Sequence, residues 1–294
     1  MKPTLKLIAT AALTLAFGLS LPAKVHAADY ANPHLLVSPA TLSGMLNRAD
    51  VRLIDVRPKK DYDSGHIVSA LSIPADAVND PNGHVAGVRL PDDKLAELFG
   101  SRGIDKDTHV VLYDDKGGFH AARIFWMLEY LGLRKVGILN GGIQKWTHDG
   151  FRLTRDQPQA RPVQFSPTPA ERRLATADWL MEHRADADLV VIDVRPKTLF
   201  EKGHIPWARS IPWALNLAAD GTMKSADELL AHFTANGVTP DKNVATHCQD
   251  GKASGHSYFT LRLLGFPRLR SYDRSWAEWG AADDLPKTVP APRG

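Results

Sequence analysis

The only cysteine in this chain of 294 residues, Cys248, is followed by Gln249, Asp250, Gly251, Lys252, Ala253 and Ser254. This run is too polar for the middle of a core strand, and its glycine lets the backbone curl. A thiol cradled in such a loop suits nucleophilic or sulfur-accepting chemistry, in which a thiolate attacks and nearby N–H groups hold the developing charge. Those same loop residues are the candidate binding groups for an anionic substrate. The twelve histidines are scattered and no His/Cys cluster surrounds the thiol, so neither a metal nor another cofactor is expected.

The flanking sequence supplies the elements that must hold this loop. Val244 to Thr246 is a short β-prone apolar run. Tyr258, Phe259, Leu261, Leu263 and Leu264 recur at helical spacing up to Gly265. Cys248 is therefore expected where a strand ends and a helix begins. The first N–H groups of a helix lack intrahelical partners, and the macrodipole adds positive potential there, so a thiolate or a bound anion would be stabilised. Strand alternation turns His247 to the opposite face, which argues against a general-base role.

Residues 1–27 read as a secretory leader: Lys2 and Lys6, an apolar run from Leu7 to Leu21, and a small-residue cleavage signal at Val25-His26-Ala27. The apolar run is short for a membrane span. The expected location is periplasmic or secreted, with no membrane association after cleavage. Losing Lys2, Lys6 and Lys24 brings the 36 basic residues level with the 33 acidic ones, so the basic balance of the full chain carries no message about nucleic acid. A single cysteine excludes an internal disulfide, and the apolar core must hold the fold.

An internal repeat settles the organisation. Leu53–Pro74 lies over Val191–Pro212 at an offset of 138 residues, with Ile-Asp-Val-Arg-Pro-Lys and Gly-His-Ile identical in both. Ser38 and Thr176 are matching helix N-caps. Asn140–Trp146 matches Asp273–Trp279 at an offset of 133. Each copy reads as helix, buried strand ending in Asp-Val-Arg, Gly-His-Ile turn, helix, strand, loop, long helix and short strand, which implies a parallel sheet covered on both faces. The expected layout is a first domain over 34–154, a proline-rich linker over 155–174, a second domain over 175–282 and a tail over 283–294. Asp114 takes the cysteine position in the first copy. A carboxylate cannot accept sulfur, so that copy is expected to be silent and to wall one side of the site. Asp55 with Arg57 and Asp193 with Arg195 read as structural ion pairs, His66 and His204 as hydrogen-bonded scaffolding, and the loop tryptophans Trp207, Trp213, Trp276 and Trp279 as filler between packed domains.

Together these residues resemble the rhodanese family of sulfurtransferases in its tandem form. The resemblance rests on the blocks Asp55–Ile67 and Asp193–Pro206, the Cys248–Gly251 loop, and Tyr272-Asp273-x-Ser275-Trp276-x-Glu278-Trp279. It implies an α/β fold of two tandem domains, each a parallel sheet flanked by helices. It also implies a Cys248 persulfide that passes sulfur from a small-molecule donor to a thiophilic acceptor such as cyanide, a thiol or a protein. The active loops of familiar tandem members are strongly basic with thiosulfate, or small and neutral with 3-mercaptopyruvate. Here Asp250 offsets Lys252, and Leu199 replaces an arginine. The loop lysine favours thiosulfate; 3-mercaptopyruvate, with Arg89 across the cleft as its cation, is the alternative. A sulfur carrier or thiol sensor that does not turn over small donors is a further one. A cysteine phosphatase is disfavoured because Ser254 stands where a phosphate-gripping arginine is needed.

Overall fold

The computed structural model describes residues 30–290; the leader read over 1–27 and the end of the tail lie outside the described residues. The first copy contains β1 (Leu36–Val37), α1 (Pro39–Met45), β2 (Val51–Asp55), α2 (Lys59–Ser64), β3 (His66–Ile67) and β4 (Leu71–Ser72). It continues through α3 (Asp92–Gly100), β5 (His109–Tyr113), α4 (Ala121–Tyr130), β6 (Val136–Leu139), α5 (Gly142–His148) and β7 (Leu153–Thr154). The second contains α6 (Ala177–Glu182), β8 (Leu189–Asp193), α7 (Lys197–Phe200), β9 (Ala208–Ser210), α8 (Ala226–Ala235), β10 (Asn243–His247), α9 (Ser254–Leu263), β11 (Leu269–Ser271) and α10 (Ser275–Trp279). The Ser38 and Thr176 hydroxyls cap α1 and α6 by accepting the Thr41 and Trp179 N–H groups.

Both main sheets are parallel, in the order β1-β6-β5-β2-β4 and β11-β10-β8-β9. The Asp114 and Cys248 loops follow the matching strands β5 and β10. Alternation along the strands divides the core. Ile54, Val110 and Leu112 face one side of the first sheet, while Leu53, Val111 and Tyr113 face the other. The inner faces of both sheets feed one continuous apolar cluster, which joins Ile54 and Leu112 to Ile192 and Val244. The domains thus share a core instead of meeting as two finished bodies.

At the centre of that core α4 lies against α9. Gly255 makes the approach possible, since a Cβ there would come within 2.7 Å of Arg123 Cα. Phe125 meets Phe259 edge to face at 4.9 Å. Buried Glu129 of the first copy accepts from Tyr258 Oη at 2.9 Å and pairs with Arg262 at 2.9 Å and Arg173 at 3.0 Å. Removing that carboxylate would strand two cations in a poorly solvated place, the costly way to break a buried network.

Three features differ from the sequence reading. In the first copy the expected Gly-His-Ile turn contains strand β3, because β7 returns from the end of the domain to pair with it. In the second copy the tail does that work: His204 and Thr288 exchange backbone hydrogen bonds at 3.0 Å. The linker has no strand or α-helix but is packed down, with Val163 N–H donating to Gly100, Thr168 N–H to Leu131, and Phe165 buried. An extended segment meets the hydrogen-bonding demand of its backbone this way without regular structure.

His256 ties the interface to solution pH. It is fully buried, its Nε2 lies 3.1 Å from the Gly117 carbonyl, and burial pushes it down to about 4. Its folded value lies below the ordinary imidazole value, so its contribution is complete above about pH 6.5 and disappears as pH falls toward 4. Thermal unfolding scanned from pH 7.5 to 4.5 should show a loss approaching 3 kcal/mol from this group. His256→Gln, which keeps a donor for Gly117, should flatten the slope.

Candidate active site

Strand β10 delivers Cys248 to its C-terminal end, in the shared core and only 2% exposed. A tight loop separates the thiol from the helix, as the polar run implied. Residues 249–253 intervene before α9, and the chain turns at Gly251 with a φ of +79°. Helix α10 holds the start of this loop from outside: Trp276 N–H donates to the Cys248 carbonyl at 3.0 Å and Ala277 N–H to that of Gln249 at 2.8 Å. Ser275 Oγ accepts the Cys248 N–H at 3.0 Å.

The first copy shows what this loop geometry is for. Asp114 occupies the position of Cys248 and is fully buried. Its Oδ1 accepts the N–H groups of Lys116 and Gly118 at 2.9 Å; its Oδ2 accepts those of His120 at 2.7 Å and Ala121 at 3.1 Å. Four backbone donors converge on one carboxylate. At the offset of 134 that superposes Asp114 on Cys248, the matching N–H groups are those of Asp250, Lys252, Ser254 and Gly255. Those of Asp250, Gly251 and Lys252 have no protein acceptor among the described residues. A thiol at the mouth of such a nest faces donors suited to a negative charge of two or three atoms.

The candidate binding residues fall into distinct places. Gln249 Oε1 accepts from Arg195 Nη1 at 3.3 Å, and Arg195 lies over Trp276 at 4.7 Å. Asp250 and Lys252 pair with each other at 2.9 Å, so the loop lysine is already partly neutralised. The Ala253 side chain joins the core and can offer the site only its backbone. Ser254 is turned inward, donating to the Gly251 carbonyl at 3.0 Å and accepting from Ser271 Oγ at 3.1 Å. Its N–H, not its hydroxyl, belongs to the nest. The Arg89 guanidinium is engaged by Asp92 at 2.5 Å and lies over the Tyr130 ring. Leu199 is 36% exposed and brings no charge.

The scaffold residues behave as read. Asp193 and Arg195 form a buried two-point pair, and Arg195 also donates to the Gly203 carbonyl; Asp55 and Arg57 repeat it with Gly65. His247 faces Asp193, with 3.7 Å from Nε2 to the carboxylate, and burial lowers its basicity. The tryptophans only partly follow the reading of filler between domains: Trp213 meets Phe119 of the first copy at 4.8 Å, but Trp207, Trp276 and Trp279 pack in the second copy's outer core, because they lie on the face of its sheet away from the first domain.

Two groups escaped the sequence reading. Asp273 braces the loop, its Oδ2 accepting the Arg89 N–H at 3.0 Å and its Oδ1 facing Arg123 Nη2 at 3.3 Å. Arg123, 2% exposed, also donates to Asn79 Oδ1 at 2.7 Å and to the Gly87 carbonyl. A charge inside the otherwise apolar start of α4, Ala121-Ala-Arg-Ile-Phe, was the available signal. Asp273 also lines a cavity of about 670 Å³ between residues 80–92 and the start of α6; Cys248 does not.

A family model described as the rhodanese-like domain matches residues 38–149 and 176–282. The chain belongs to the rhodanese family. The sulfur carrier protein TtuD of Thermus thermophilus is 36% identical over 281 residues, spanning 87% of this chain and 97% of that one. A thiosulfate sulfurtransferase of Azotobacter vinelandii is 30% identical over 266 residues, spanning 88% and 98%. The crystal structure of SseA from Escherichia coli, a 3-mercaptopyruvate sulfotransferase with the rhodanese fold, superposes with a TM-score of 0.76 at 26% identity, covering 82% of this chain and 98% of that one.

In this rhodanese the nest around Asp114 sets the stability of the first copy. Asp114→Ala would leave converging buried N–H groups without an acceptor, and urea unfolding should show a loss of about 2–4 kcal/mol. Any sulfur chemistry at Cys248 should persist at temperatures where the variant remains folded.

Proposed function

We propose that this chain is a sulfurtransferase that carries a sulfane sulfur on Cys248, taking it from thiosulfate and passing it to cyanide or a thiol, a protein thiol included. The observation that carries the reading is the pair of matching loops. One holds a carboxylate in converging N–H donors, and the other carries a thiol at the matching position, with the N–H groups of Asp250, Gly251 and Lys252 left without a protein acceptor among the described residues. The Cys248 thiolate attacks the outer sulfur of thiosulfate, the sulfur–sulfur bond breaks with its electron pair leaving on sulfite, and a persulfide anion remains. An acceptor such as cyanide then attacks the terminal sulfur and departs as thiocyanate, restoring the thiolate. The N–H groups of residues 250–255 hold the departing sulfite oxygens and then the terminal sulfur.

Donor choice rests on the field at the loop. Thiosulfate is small and doubly charged and gains most from a nearby cation, and Lys252 is the loop's own. Asp250 dilutes that field without removing it, because both side chains remain partly exposed. Arg89 is committed to Asp92, which weakens the case for a cation placed to hold the distant carboxylate of 3-mercaptopyruvate. The low exposure of Cys248 favours a small donor.

Cys248→Ser should abolish thiocyanate formation; retained activity overturns the proposal. With thiosulfate, Lys252→Ala should lower kcat/KM by the equivalent of about 1–2 kcal/mol, and Asp250→Ala should raise it modestly. A parent at least tenfold better with 3-mercaptopyruvate would reassign the donor. Export belongs to the same proposal: mass spectrometry of protein from the native host should find an N-terminus at or near Ala28, and an intact Met1 would refute it.

A further inference from the structure

A pocket on the second copy, away from Cys248, carries charge of one sign. Its cavity of about 110 Å³ is lined by Arg172, Arg173, Arg268 and Arg270, with Trp179 and Asn243 beside them, and no carboxylate lines it. Arg172 and Arg173 belong to a short helical turn at the end of the linker, Glu171–Arg173. Arg268 precedes β11 and Arg270 lies within it. Asn243 begins β10, so the pocket sits at the far end of the strand that delivers Cys248. A strand rise of about 3.3 Å per residue puts the pocket roughly 15 Å from the thiol.

The four guanidiniums are not equally available. Arg173 is spent on the first copy, where it pairs with Glu129 at 3.0 Å and donates to Tyr258 Oη. Arg270 is held but not neutralised. Its Nη1 donates to the Glu171 and Leu174 carbonyls, both at 2.8 Å, and its guanidinium lies over the Trp179 ring at 4.4 Å. That leaves its Nε and Nη2 protons without a protein acceptor among the described residues. Burial works against its charge, with Glu171 as the opposing influence. The side chains of Arg172 and Arg268 are exposed and have no hydrogen-bond or ion-pair partner among the described residues. Three cations therefore face one small concavity, and a cleft lined by one sign of charge concentrates the opposite ion.

We propose that this pocket binds a tetrahedral oxyanion, a phosphate or sulfate group, between Arg172 of the linker and Arg268 and Arg270 of the second copy. The planar fork of an arginine matches two oxygens of such a group, and Arg270 arrives with its orientation already set by two carbonyls and a ring. The cavity falls well short of the about 300 Å³ at which sites for drug-sized molecules begin, so it takes the charged group and not a whole nucleotide. Bound there, the anion bridges the linker to β11 and offsets the repulsion among three cations. It stabilises the docked pair of domains and takes no part in the reaction at Cys248, so the assignment stands apart from the function proposed above.

The test follows thermal unfolding while phosphate, sulfate or glycerol 3-phosphate replaces chloride at constant ionic strength. The proteins compared are the parent, the double variant Arg172→Gln/Arg268→Gln, Arg268→Gln alone, and Lys252→Ala, which alters the other place where an anion could bind. Removing two exposed, unpaired cations strands no partner, so in chloride the double variant should unfold at or slightly above the parent temperature. The general stabilisation that phosphate and sulfate give any folded chain is common to all four proteins and cancels in the comparison. At about ten times its dissociation constant, the anion should raise the parent Tm by about 3–5 °C more than that of the double variant. Arg268→Gln alone should lose more than half of this excess, which keeps the test decisive if the double variant is poorly folded. Lys252→Ala should keep all of it. The ester separates a free ion from a phosphate borne on a larger molecule, and an excess with either supports the site. The assignment is overturned if none of the three anions raises the parent above the double variant, or if Lys252→Ala loses the excess.

Discussion

Backbone N–H groups that converge on one point require an acceptor there. A buried N–H left unpaired costs on the order of 1–3 kcal/mol, and several of them in one loop can outweigh much of a domain's stability. The strand–loop–helix unit of this fold makes such a nest twice. In the first copy Asp114 fills it, and the loop becomes a locked structural element. In the second copy a thiol stands at the same place, and the N–H groups of Asp250, Gly251 and Lys252 keep no protein acceptor among the described residues. One change of side chain thus separates a self-satisfied loop from one whose donors stay open.

The rest of the architecture keeps the second loop in shape. The two copies bury a common core, with α4 against α9 through Gly255, so the loop at the start of α9 rests on the first domain. From that side Arg123 reaches Asp273, and Asp273 also accepts the Arg89 N–H. From the other side α10 holds the Cys248 and Gln249 carbonyls. The first copy is therefore part of the support of the Cys248 loop.

The charges around the thiol are mostly spent on one another. Lys252 pairs with Asp250, Arg195 with Asp193, and Arg123 with Asp273. Opposed charges in contact leave a weak field a few ångströms away, whereas aligned N–H dipoles aimed at one point do not cancel. An anion at Cys248 would thus gain from the loop N–H dipoles as well as from Lys252, whose charge Asp250 offsets.

Much of this was legible in the residues. The repeat, the N-caps at Ser38 and Thr176, the strand before the thiol, the helix after it and the substitution of Asp114 for cysteine depend on local propensity and period, which a linear chain displays directly. The paired Asp-Val-Arg blocks were readable as ion pairs because both partners lie two residues apart. Sequence could not show the bonds from α10 to the Cys248 and Gln249 carbonyls, since each comes from a residue 28 positions away. It could not show that Lys252 is neutralised by Asp250 instead of facing a substrate, or that the Ser254 hydroxyl turns inward to Ser271. Nor could it gather Arg172, Arg268 and Arg270 around one pocket, since the linker and β11 meet only in the fold. Periodicity and capping are properties of neighbours along the chain, whereas the orientation of a hydrogen bond is decided by partners that folding brings together.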